Sequence, residues 1–477
     1  MCSVVVPSTL QRLHLSIILL PKSEYYYYIC IFSRRKADLV ITQVCINMIG
    51  LFLALLGYIG LSPVPIVANL IGTTEPALKL LISILLGYPL GIIYNKYVKK
   101  YNKYRSVFFI VTGLDISLYN FGFSFYHNLL PALVIYMTTK LLGPGKNNAI
   151  VTFIFNLSYL LIGYAKTESE DYDITWTMPH CVLTLKLIAL SFDLWDGQKM
   201  LKEKNISDNN KLTALQFTPD FLDLIGFIYF PACFLVGPIF SFRRYLDFIS
   251  DKFPVDTEAH ILEDQAMKRL LQGLAYLVAF QVGTSCIRFG LSYNGKEKTE
   301  TGEVSKWDAC NNIKLMRFEG ATKFQHYIDS FNCNTNYFAA EYVYKRLKFL
   351  GNRNLSQFFT LLFLALWHGT RSGYYMTFFN EFIIIYMEKE FESIISKTEM
   401  YNKLWASPAK SLLYVALKIY TIVFMGWSLI PFDLKVFSKW WQLYTSLYFS
   451  GFILFLPWPF VYKPALIKGI KMLSPSQ

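Results

Sequence analysis

Long apolar runs separated by short polar or charged stretches dominate the hydrophobic pattern of this chain. A helix needs about 20 apolar residues to cross the hydrocarbon layer of a membrane, and runs near that length recur along most of the sequence. The candidate spans are residues 39–61, 77–94, 107–126, 129–143, 149–164, 181–194, 221–240, 270–290, 357–367 continuing toward 387, 410–430 and 440–460. The pattern predicts an all-α polytopic membrane protein with about nine to eleven transmembrane or re-entrant helices.

The same pattern divides the chain into three parts. Residues 1–38 form an N-terminal extension of unknown role, residues 39–460 contain every candidate span, and residues 461–477 form a C-terminal tail. No cleavage site of small residues follows the first apolar run of the extension, so we expect no cleaved signal peptide. Several candidate spans are short, which predicts re-entrant segments or helices that line an enclosed cavity.

Composition and charge agree with a membrane protein and argue against other classes. Hydrophobic residues make up 54% of the chain, charged residues only 17%, and the mean hydropathy is +0.34. The net charge of +13 comes from short clusters of lysine and arginine that border apolar runs, which suits a lipid bilayer as partner. The sequence shows no long basic stripe, and we expect no nucleic acid partner. The eight cysteines include no CxxC pair, and we expect no metal site.

His368 stands at an unusual place in the pattern. It follows the apolar run 358–367, between Trp367 and Gly369, in the sequence LALWHGTRSGYY. An ionisable residue at the end of an apolar segment is a candidate for function, and histidine titrates near neutral pH. The ordinary alternative is a core histidine that is satisfied by one backbone carbonyl. The sequence alone leaves both interpretations open.

A second polar cluster, SFNCNTN, places amide side chains at positions 332, 334 and 336. Amides at alternate positions share one face only if the stretch is extended. Turns and helix caps explain many clusters of this kind, so this alternative also stays open.

Together these motifs resemble a known family. SFNCNTN, KRLKFLGNRNLSQ, FLALWHG and SGY are similar to the signature of the membrane-bound O-acyltransferases, and most similar to their lysophospholipid branch that acts on lysophosphatidylcholine. EPALKLLISILLGYPLG, YDITWTMPHCVLTLKLIAL, FLVGPIFSF and WDACNNIKLM extend the resemblance over about residues 40–460. The resemblance implies helices that enclose a central reaction chamber, in the membrane of the endoplasmic reticulum.

The resemblance also implies a reaction and a catalytic pair. The reaction is transfer of a fatty acyl chain from acyl-CoA, a co-substrate rather than a permanently bound cofactor, to the free hydroxyl of a lysophospholipid. His368 and Asn332, 36 positions apart, fall on the family's catalytic histidine and asparagine. A neutral imidazole with a pKa near ~6.5 can accept the hydroxyl proton. Asn332 can stabilise the oxyanion, hold the acceptor or orient His368, and the sequence does not choose between these roles.

Further residues are expected to bind substrate. Four cations near the catalytic segment are candidates for the phosphates of acyl-CoA, although snorkelling at a membrane interface explains them equally well: Lys345, Arg346, Lys348 and Arg353. Trp307 and Asn312 are expected to line the chamber on the resemblance alone. Cys333 is a weaker alternative, as a nucleophile beside a histidine. Relatives often carry a second histidine where this chain has Arg371, so any role of that second imidazole does not carry over.

Two competing functions remain at this stage. A related enzyme can use a sterol, a diacylglycerol or a peptide as acceptor. A multi-pass transporter or scramblase can use His368 as a proton relay, together with acids such as Asp115 and Asp193 in the apolar segments, although the sequence shows no inverted repeat. The sequence leaves a homodimer open.

Overall fold

Helices make up most of the described structure. The computed structural model describes residues 63–167, 174–202, 206–253, 293–299 and 302–473. In chain order the α-helices are α1 (Val64–Ile71), α2 (Glu75–Leu85), α3 (Gly87–Ile93), α4 (Asn102–Phe121), α5 (Tyr126–Leu142), α6 (Lys146–Thr167), α7 (Thr177–Leu201), α8 (Asp208–Thr213), α9 (Phe221–Ile228), α10 (Phe242–Ile249), α11 (Leu315–Glu319), α12 (Phe324–Ser330), α13 (Cys333–Phe338), α14 (Arg353–His368), α15 (Ser372–Ile395), α16 (Glu399–Ala406), α17 (Lys410–Leu434), α18 (Phe437–Ser446), α19 (Ser450–Phe455) and α20 (Lys463–Leu473).

Shorter elements join these helices. A β-hairpin pairs β1 (Lys296–Thr299) with β2 (Gly302–Ser305) in antiparallel register. The π-helical segments are Tyr94–Val98, Ala339–Val343 and Trp458–Tyr462, and the 3₁₀ segments are Gly122–Phe125 and Tyr344–Leu350. Outside the small hairpin, the described elements are helical, which confirms the predicted all-α class.

Six helical stretches among the described residues are long and apolar enough to cross a membrane. They are Glu75–Val98, Asn102–Leu142, Lys146–Thr167, Thr177–Leu201, Lys410–Leu434 and Ser450–Met472. The predicted spans at 39–61 and 270–290 lie outside the described residues, as does the extension 1–38. Part of the predicted tail, Lys463–Leu473, is helical.

The helix α7 is central in the bundle. Of the residues in its apolar stretch 83% are buried, whereas the corresponding share in α17 is only 17%. Its buried Asp193 accepts hydrogen bonds at Oδ1 from Thr213 Oγ1 (2.7 Å) and Tyr342 OH (2.8 Å). Because Tyr342 belongs to the segment that precedes α14, this carboxylate ties the central helix to the part of the chain that carries the site.

Residues 332–368 form a helical hairpin. Gly351, with a φ of 68°, reverses the chain, and Asn352 caps α14 by accepting hydrogen bonds from the N–H groups of Asn354 (2.9 Å) and Leu355 (3.2 Å). The two arms share one apolar core with α7, whose buried members include Phe338, Ala339, Tyr342, Val343, Leu361, Phe363, Leu364, Trp367, Leu185 and Ile188. Each fully buried large apolar side chain contributes about 1.5–3 kcal/mol, so this core holds the hairpin firmly.

A second core joins α15 to the C-terminal helices. Its buried side chains come from α12, α15, α17, α18 and α19 and are Phe324, Ile383, Ile384, Ile385, Trp427, Trp440, Tyr444 and Phe455. The ring of Tyr444 stacks on Trp427 at 5.1 Å, and its hydroxyl donates to the carbonyl of Trp427 (3.0 Å). Asn380 of α15 donates to that same hydroxyl from Nδ2 (2.8 Å), so α15 is bound to α17 and α18 by polar as well as apolar contacts.

Two predicted spans are interrupted in the structure. In the predicted span 221–240, α9 ends at Ile228, and residues 230–240 are mostly buried without being helical. Pro231 and Pro238 lack the N–H group that a helix needs, which explains the break. The predicted run from 357 toward 387 is divided at Gly369, whose φ of 148° ends α14. At 16 residues α14 is about 24 Å long, shorter than the hydrocarbon layer of about 30 Å.

Candidate active site

His368 is the last residue of α14 and is surrounded by aromatic rings. The imidazole lies 4.6 Å from Trp367, 5.9 Å from Tyr374, 5.3 Å from Phe378 and 5.2 Å from Phe432, measured between ring centroids. The side chain is half-buried and makes no hydrogen bond with any described residue. No described backbone carbonyl accepts from it, so the ordinary interpretation of a satisfied core histidine does not fit the described structure. Its ring nitrogens are available to a bound molecule.

Trp367 anchors the end of α14. Its indole Nε1 donates to the carbonyl of Cys181 in α7 (2.9 Å), and its own carbonyl accepts from the hydroxyl of Tyr164 in α6 (3.0 Å). Two neighbouring helices therefore fix the residue next to His368. This support holds the backbone from which the imidazole projects.

The chain after His368 is clamped to the end of α17. The N–H of Gly373 and the hydroxyl of Ser372 both donate to the carbonyl of Lys435, at 2.9 Å and 3.3 Å. A Cβ at position 373 would lie 1.9 Å from the carbonyl oxygen of Pro431, so only glycine fits at this contact. Lys435 itself has a φ of 54°, a conformation that costs on the order of 1–3 kcal/mol in a non-glycine residue. The clamp therefore maintains a strained backbone beside the candidate site.

Asn332 precedes α13 in a left-handed conformation, with φ 49° and ψ 41°. Asparagine tolerates this conformation better than most residues with a side chain. Its Oδ1 accepts a hydrogen bond from Nδ2 of Asn312 (3.1 Å), and the N–H of Cys333 donates to the carbonyl of Asn312 (3.0 Å). Asn332 and Asn312 are thus held against each other.

The hydrogen bonds determine the orientation of the Asn332 amide. The backbone N–H of Asn334, which can only donate, meets the oxygen Oδ1 of Asn312 (3.1 Å). The Nδ2 group of Asn312 must then face Asn332, and it requires the oxygen of Asn332 as acceptor. The Nδ2 group of Asn332 consequently has no acceptor among the described residues. Asn332 presents a donor, not an acceptor, to any molecule in the site.

The three amides of SFNCNTN do not share one face. Residues 333–338 are helical rather than extended, so the alternating arrangement is not observed. Asn336 instead donates from Nδ2 to the carbonyls of Ile328 (2.6 Å) and Phe331 (2.9 Å). The turn and cap interpretation explains this cluster, and Asn332 is the member whose donor remains available.

His368 and Asn332 lie at the same end of the helical hairpin. The rings of Phe338 and Phe363 stack across the two arms with centroids 6.2 Å apart. Asn332 lies six residues before the first of these rings and His368 five residues after the second. Because the arms run in opposite directions, these similar offsets bring both residues to a similar level along the hairpin.

Trp307 carries an unpaired donor. Its indole Nε1 is buried and has no hydrogen-bond partner among the described residues, and its ring packs edge-on against Tyr293 at 5.6 Å. Buried polar groups without a partner are rare in folded proteins. This donor fits the expectation that Trp307 meets a ligand.

The four candidate cations fall into two groups in the structure, two in ion pairs with buried carboxylates and two exposed. Arg346 donates to both carboxylate oxygens of the buried Asp196 and lies over the ring of Phe192 at 4.8 Å. Lys345 pairs with the buried Glu341 at 2.6 Å. Both charges are therefore engaged inside the protein. The other two candidates, Lys348 and Arg353, are exposed. Neither makes an ion pair with a described residue.

Cys333 does not resemble an activated nucleophile. Its Sγ donates to the carbonyl of Asp329 (3.5 Å), and no histidine contacts it among the described residues. Burial raises the pKa of the Cys333 thiol, which disfavours the reactive thiolate.

Glu381 is a candidate that the sequence analysis missed. Tyr374, Phe378 and Glu381 are spaced by four and three residues along α15, so they share one face of the helix. The first two contact His368, and the half-buried carboxylate makes no hydrogen bond with a described residue. An acid at helical spacing from two aromatic residues was visible in the sequence, but its significance depends on knowing which residues surround His368.

Comparison with known proteins places the chain in a family. Residues 161–285 and 258–430 match MBOAT, the membrane-bound O-acyltransferase family. The lysophospholipid acyltransferase 5 of Rattus norvegicus is 37% identical over 458 residues, which cover 85% of this chain and 93% of the relative. The chain belongs to the membrane-bound O-acyltransferase family. The family resemblance read from the motifs is thereby confirmed.

Other relatives carry the same name. The lysophospholipid acyltransferase 5 of Homo sapiens is 37% identical over 443 residues, covering 83% of this chain and 90% of the relative. That of Drosophila melanogaster is 35% identical over 450 residues, covering 83% and 88% respectively. This membrane-bound O-acyltransferase is therefore an acyltransferase and a multi-pass membrane protein.

Proposed function

We propose that this membrane-bound O-acyltransferase transfers a fatty acyl chain from acyl-CoA to the free hydroxyl of a lysophospholipid, with lysophosphatidylcholine and related headgroups as acceptors. Two observations carry the proposal. The imidazole of His368 has no described hydrogen-bond partner among the surrounding aromatic rings, and the amide donor of Asn332, on the other arm of the same hairpin, has no described acceptor. The names of the relatives support a lysophospholipid acceptor. The family resemblance supports a location in the endoplasmic reticulum membrane.

In the proposed mechanism, His368 is the general base. The neutral imidazole takes the proton of the acceptor hydroxyl while the oxygen attacks the carbonyl carbon of the thioester. The carbon–sulfur bond then breaks, and the imidazolium returns the proton to the thiolate. The products are a phospholipid and the free thiol of coenzyme A. The thioester is already activated, so no acyl-enzyme is needed, and the high pKa of Cys333 agrees with direct transfer.

Asn332 stabilises the oxyanion in this mechanism. Attack on the thioester places negative charge on the carbonyl oxygen, and a fixed amide donor lowers the energy of that state. The orientation imposed by Asn312 favours this role over that of a hydrogen-bond acceptor for the lysophospholipid hydroxyl. The unpaired indole donor of Trp307 supports a substrate contact at this residue as well.

Asn312 is expected to act by positioning Asn332. The variant Asn312→Asp keeps an acceptor for the N–H of Asn334 but presents an oxygen to Oδ1 of Asn332, so the Asn332 amide must turn its donor inward. We expect kcat to fall toward the roughly 10²-fold loss that follows removal of an oxyanion donor, with the KM for acyl-CoA little changed. Steady-state kinetics on purified protein measures this effect.

The neighbouring variant Asn311→Asp serves as the matched control. It introduces the same charge one residue away without altering the Asn312 side-chain bonds. Equal kcat values for Asn312→Asp and Asn311→Asp would show that Asn312 does not determine the orientation of the Asn332 amide.

The proposed donor site lies at the start of α14. Lys348 and Arg353 are the two candidate cations without an ion pair to a described residue, and both are exposed where the hairpin turns. They are suited to the phosphates of acyl-CoA, whereas Lys345 and Arg346 stabilise the hairpin through Glu341 and Asp196.

An acceptor panel tests the proposed function directly. Purified protein is given radiolabelled acyl-CoA with lysophosphatidylcholine, a sterol, a diacylglycerol or a peptide, and the labelled product is identified. We expect label in phospholipid. Label only in a neutral lipid or a peptide would refute the proposed acceptor, and transport without consumption of acyl-CoA would refute the enzyme mechanism.

A further inference from the structure

Helices α5, α6 and α7 enclose a set of buried polar side chains that the proposed mechanism does not use. We call this set the interhelical polar cluster, and its members are Asn128, Thr152, Asn156, His180 and Thr184. Each of the five residues has a relative exposure of 0%. All three helices belong to stretches long and apolar enough to cross a membrane, so neither bulk water nor lipid can satisfy these groups.

Helices α6 and α7 pack against each other in opposite directions. The ring of Tyr159 in α6 lies 5.2 Å from that of His180 in α7. Four residues after Tyr159, a Cβ on Gly163 would lie 3.3 Å from the side chain of Thr177, which precedes His180 by three residues. Advancing along α6 therefore corresponds to moving back along α7.

This arrangement brings the polar residues of α6 and α7 together inside the bundle. Asn156 lies three residues before Tyr159, and Thr184 lies four residues after His180, so both are one helical turn from the same ring contact. Thr152 lies one further turn along α6, on the same face as Asn156. The polar groups thus follow one another through the interior of the bundle.

Asn128 and His180 join α5 to α7 and leave one donor and one acceptor between them. The Nδ1 atom of His180 lies 3.3 Å from Oδ1 of Asn128. If Nδ1 donates, Nδ2 of Asn128 remains as a donor and Nε2 of His180 as an acceptor. If the amide is turned and donates instead, its oxygen remains as an acceptor and Nε2 as a donor. Neither remaining atom has a hydrogen-bond partner among the described residues.

The other three members of the interhelical polar cluster also have unsatisfied atoms. The Nδ2 group of Asn156 donates to the carbonyl of Thr152 in its own helix (2.8 Å), which leaves Oδ1 as an acceptor. The hydroxyls of Thr152 and Thr184 are buried and can each donate and accept. None of these three oxygens has a hydrogen-bond partner in the part of the chain that the structure describes. Five unsatisfied atoms so close together are unusual, because buried polar groups are rarely left unpaired.

We infer that the interhelical polar cluster binds water molecules that bridge α5, α6 and α7. The unsatisfied atoms include both donors and acceptors, and water can serve both. A buried water typically makes about three hydrogen bonds, and the cluster offers enough partners on neighbouring helices. It contains no carboxylate, lysine or arginine, so a neutral ligand suits it better than an ion.

The bridged helix α7 also supports the candidate active site. His180 directly precedes Cys181, whose carbonyl accepts the hydrogen bond from the indole of Trp367 (2.9 Å). Trp367 is in turn the neighbour of His368. Waters that fix α7 against α5 and α6 therefore help to fix the carbonyl that anchors the end of α14.

Radiolytic labelling of the purified wild-type protein tests for the waters. A short X-ray pulse converts bound water to hydroxyl radicals, which oxidise the side chains next to it, and mass spectrometry locates the oxidised residues. We expect oxidation of His180 although it has no exposed surface. Phe363, a buried ring in the apolar core of the hairpin, serves as the dry control and is expected to stay at background.

The sign of a stability change tests whether the waters bridge the helices. Thr152→Val and Thr184→Val replace a hydroxyl with a methyl group of similar size. A water that loses a partner destabilises the fold, so we expect the Tm of each variant to fall by about 2 °C or more. Thr112→Val is the matched control, because the Thr112 hydroxyl donates to the carbonyl of Phe108 within its own helix (2.7 Å). The fall is measured relative to this control.

The opposite results would overturn the inference. In a dry cluster the valine substitutions remove unsatisfied hydroxyls, and the Tm would rise above that of Thr112→Val. Oxidation of His180 no greater than that of Phe363 would likewise show that no water is bound there. The labelling uses only the wild type, so it decides the question even if a valine variant fails to fold. Neither measurement depends on the proposed acyl acceptor.

Discussion

Replacing His368 with alanine is expected to lower kcat for acyl transfer by about 10²- to 10⁴-fold, the usual contribution of a general base. The imidazole makes no hydrogen bond with a described residue, so its removal leaves no described group unpaired. The loss should therefore appear in catalysis rather than in folding. Acyl transfer to lysophosphatidylcholine, measured beside the thermal stability of the purified protein, distinguishes the two effects.

Two further variants separate chemistry from packing. His368→Phe keeps an aromatic ring against Phe378 and Phe432 but lacks the nitrogen atoms, and it is expected to be as inactive as His368→Ala. His127→Ala removes another half-buried imidazole, one bonded to Tyr159 (2.8 Å), and is expected to keep most of the activity. Activity in His368→Phe close to that of the wild type would mean that the ring only fills space.

Loss of the Asn332 amide is expected to lower kcat by about 10²- to 10³-fold, as removal of one oxyanion donor does in other acyl-transfer enzymes. Asn332→Gly is the informative variant, because glycine adopts the left-handed conformation at φ 49° without strain. Asn332→Asp keeps the acceptor for Asn312 but lacks the donor, and it should be equally slow. Both variants are compared with the wild type at saturating acyl-CoA and varied lysophosphatidylcholine.

The kinetic constants also choose between the roles that the sequence left open for Asn332. A donor to the oxyanion acts only as charge develops, so kcat falls while the KM for the acceptor changes little. A residue that holds the lysophospholipid would instead raise that KM with kcat preserved. This second pattern, or a kcat near wild type in Asn332→Gly, would contradict the oxyanion role.

Much of the fold could be predicted from the sequence because apolar run length reports directly on membrane spans. The runs at 149–164 and 410–430 correspond closely to α6 and α17. A buried segment that is not helical, such as residues 230–240, has the same apolar composition as a membrane span, so run length does not distinguish the two. At Gly369 a single change of φ divides an apolar run without altering its hydropathy.

The candidate site was predictable in part and for a different reason. His368 and Asn332 were identified from motifs, and they lie on the two arms of one hairpin, which are joined by the contact between Phe338 and Phe363. The sequence could not show that Arg346 is paired with Asp196, because these residues lie 150 positions apart and meet only in the folded chain. For Lys345, the sequence shows a carboxylate four residues away at Glu341. It does not show that this carboxylate is buried and therefore holds the lysine.

The central claim is that His368 removes a proton from a lysophospholipid hydroxyl so that the acyl chain moves directly from sulfur to oxygen. The most direct measurement is release of free coenzyme A by purified protein given acyl-CoA with lysophosphatidylcholine, or with an analogue in which hydrogen replaces the free hydroxyl, for the wild type, His368→Phe and Cys333→Ala. We predict one coenzyme A per phospholipid formed by the wild type and by Cys333→Ala, with background release from the analogue and from His368→Phe. Equal release from the analogue, undiminished release by His368→Phe, or a labelled acyl thioester on Cys333 would contradict the account.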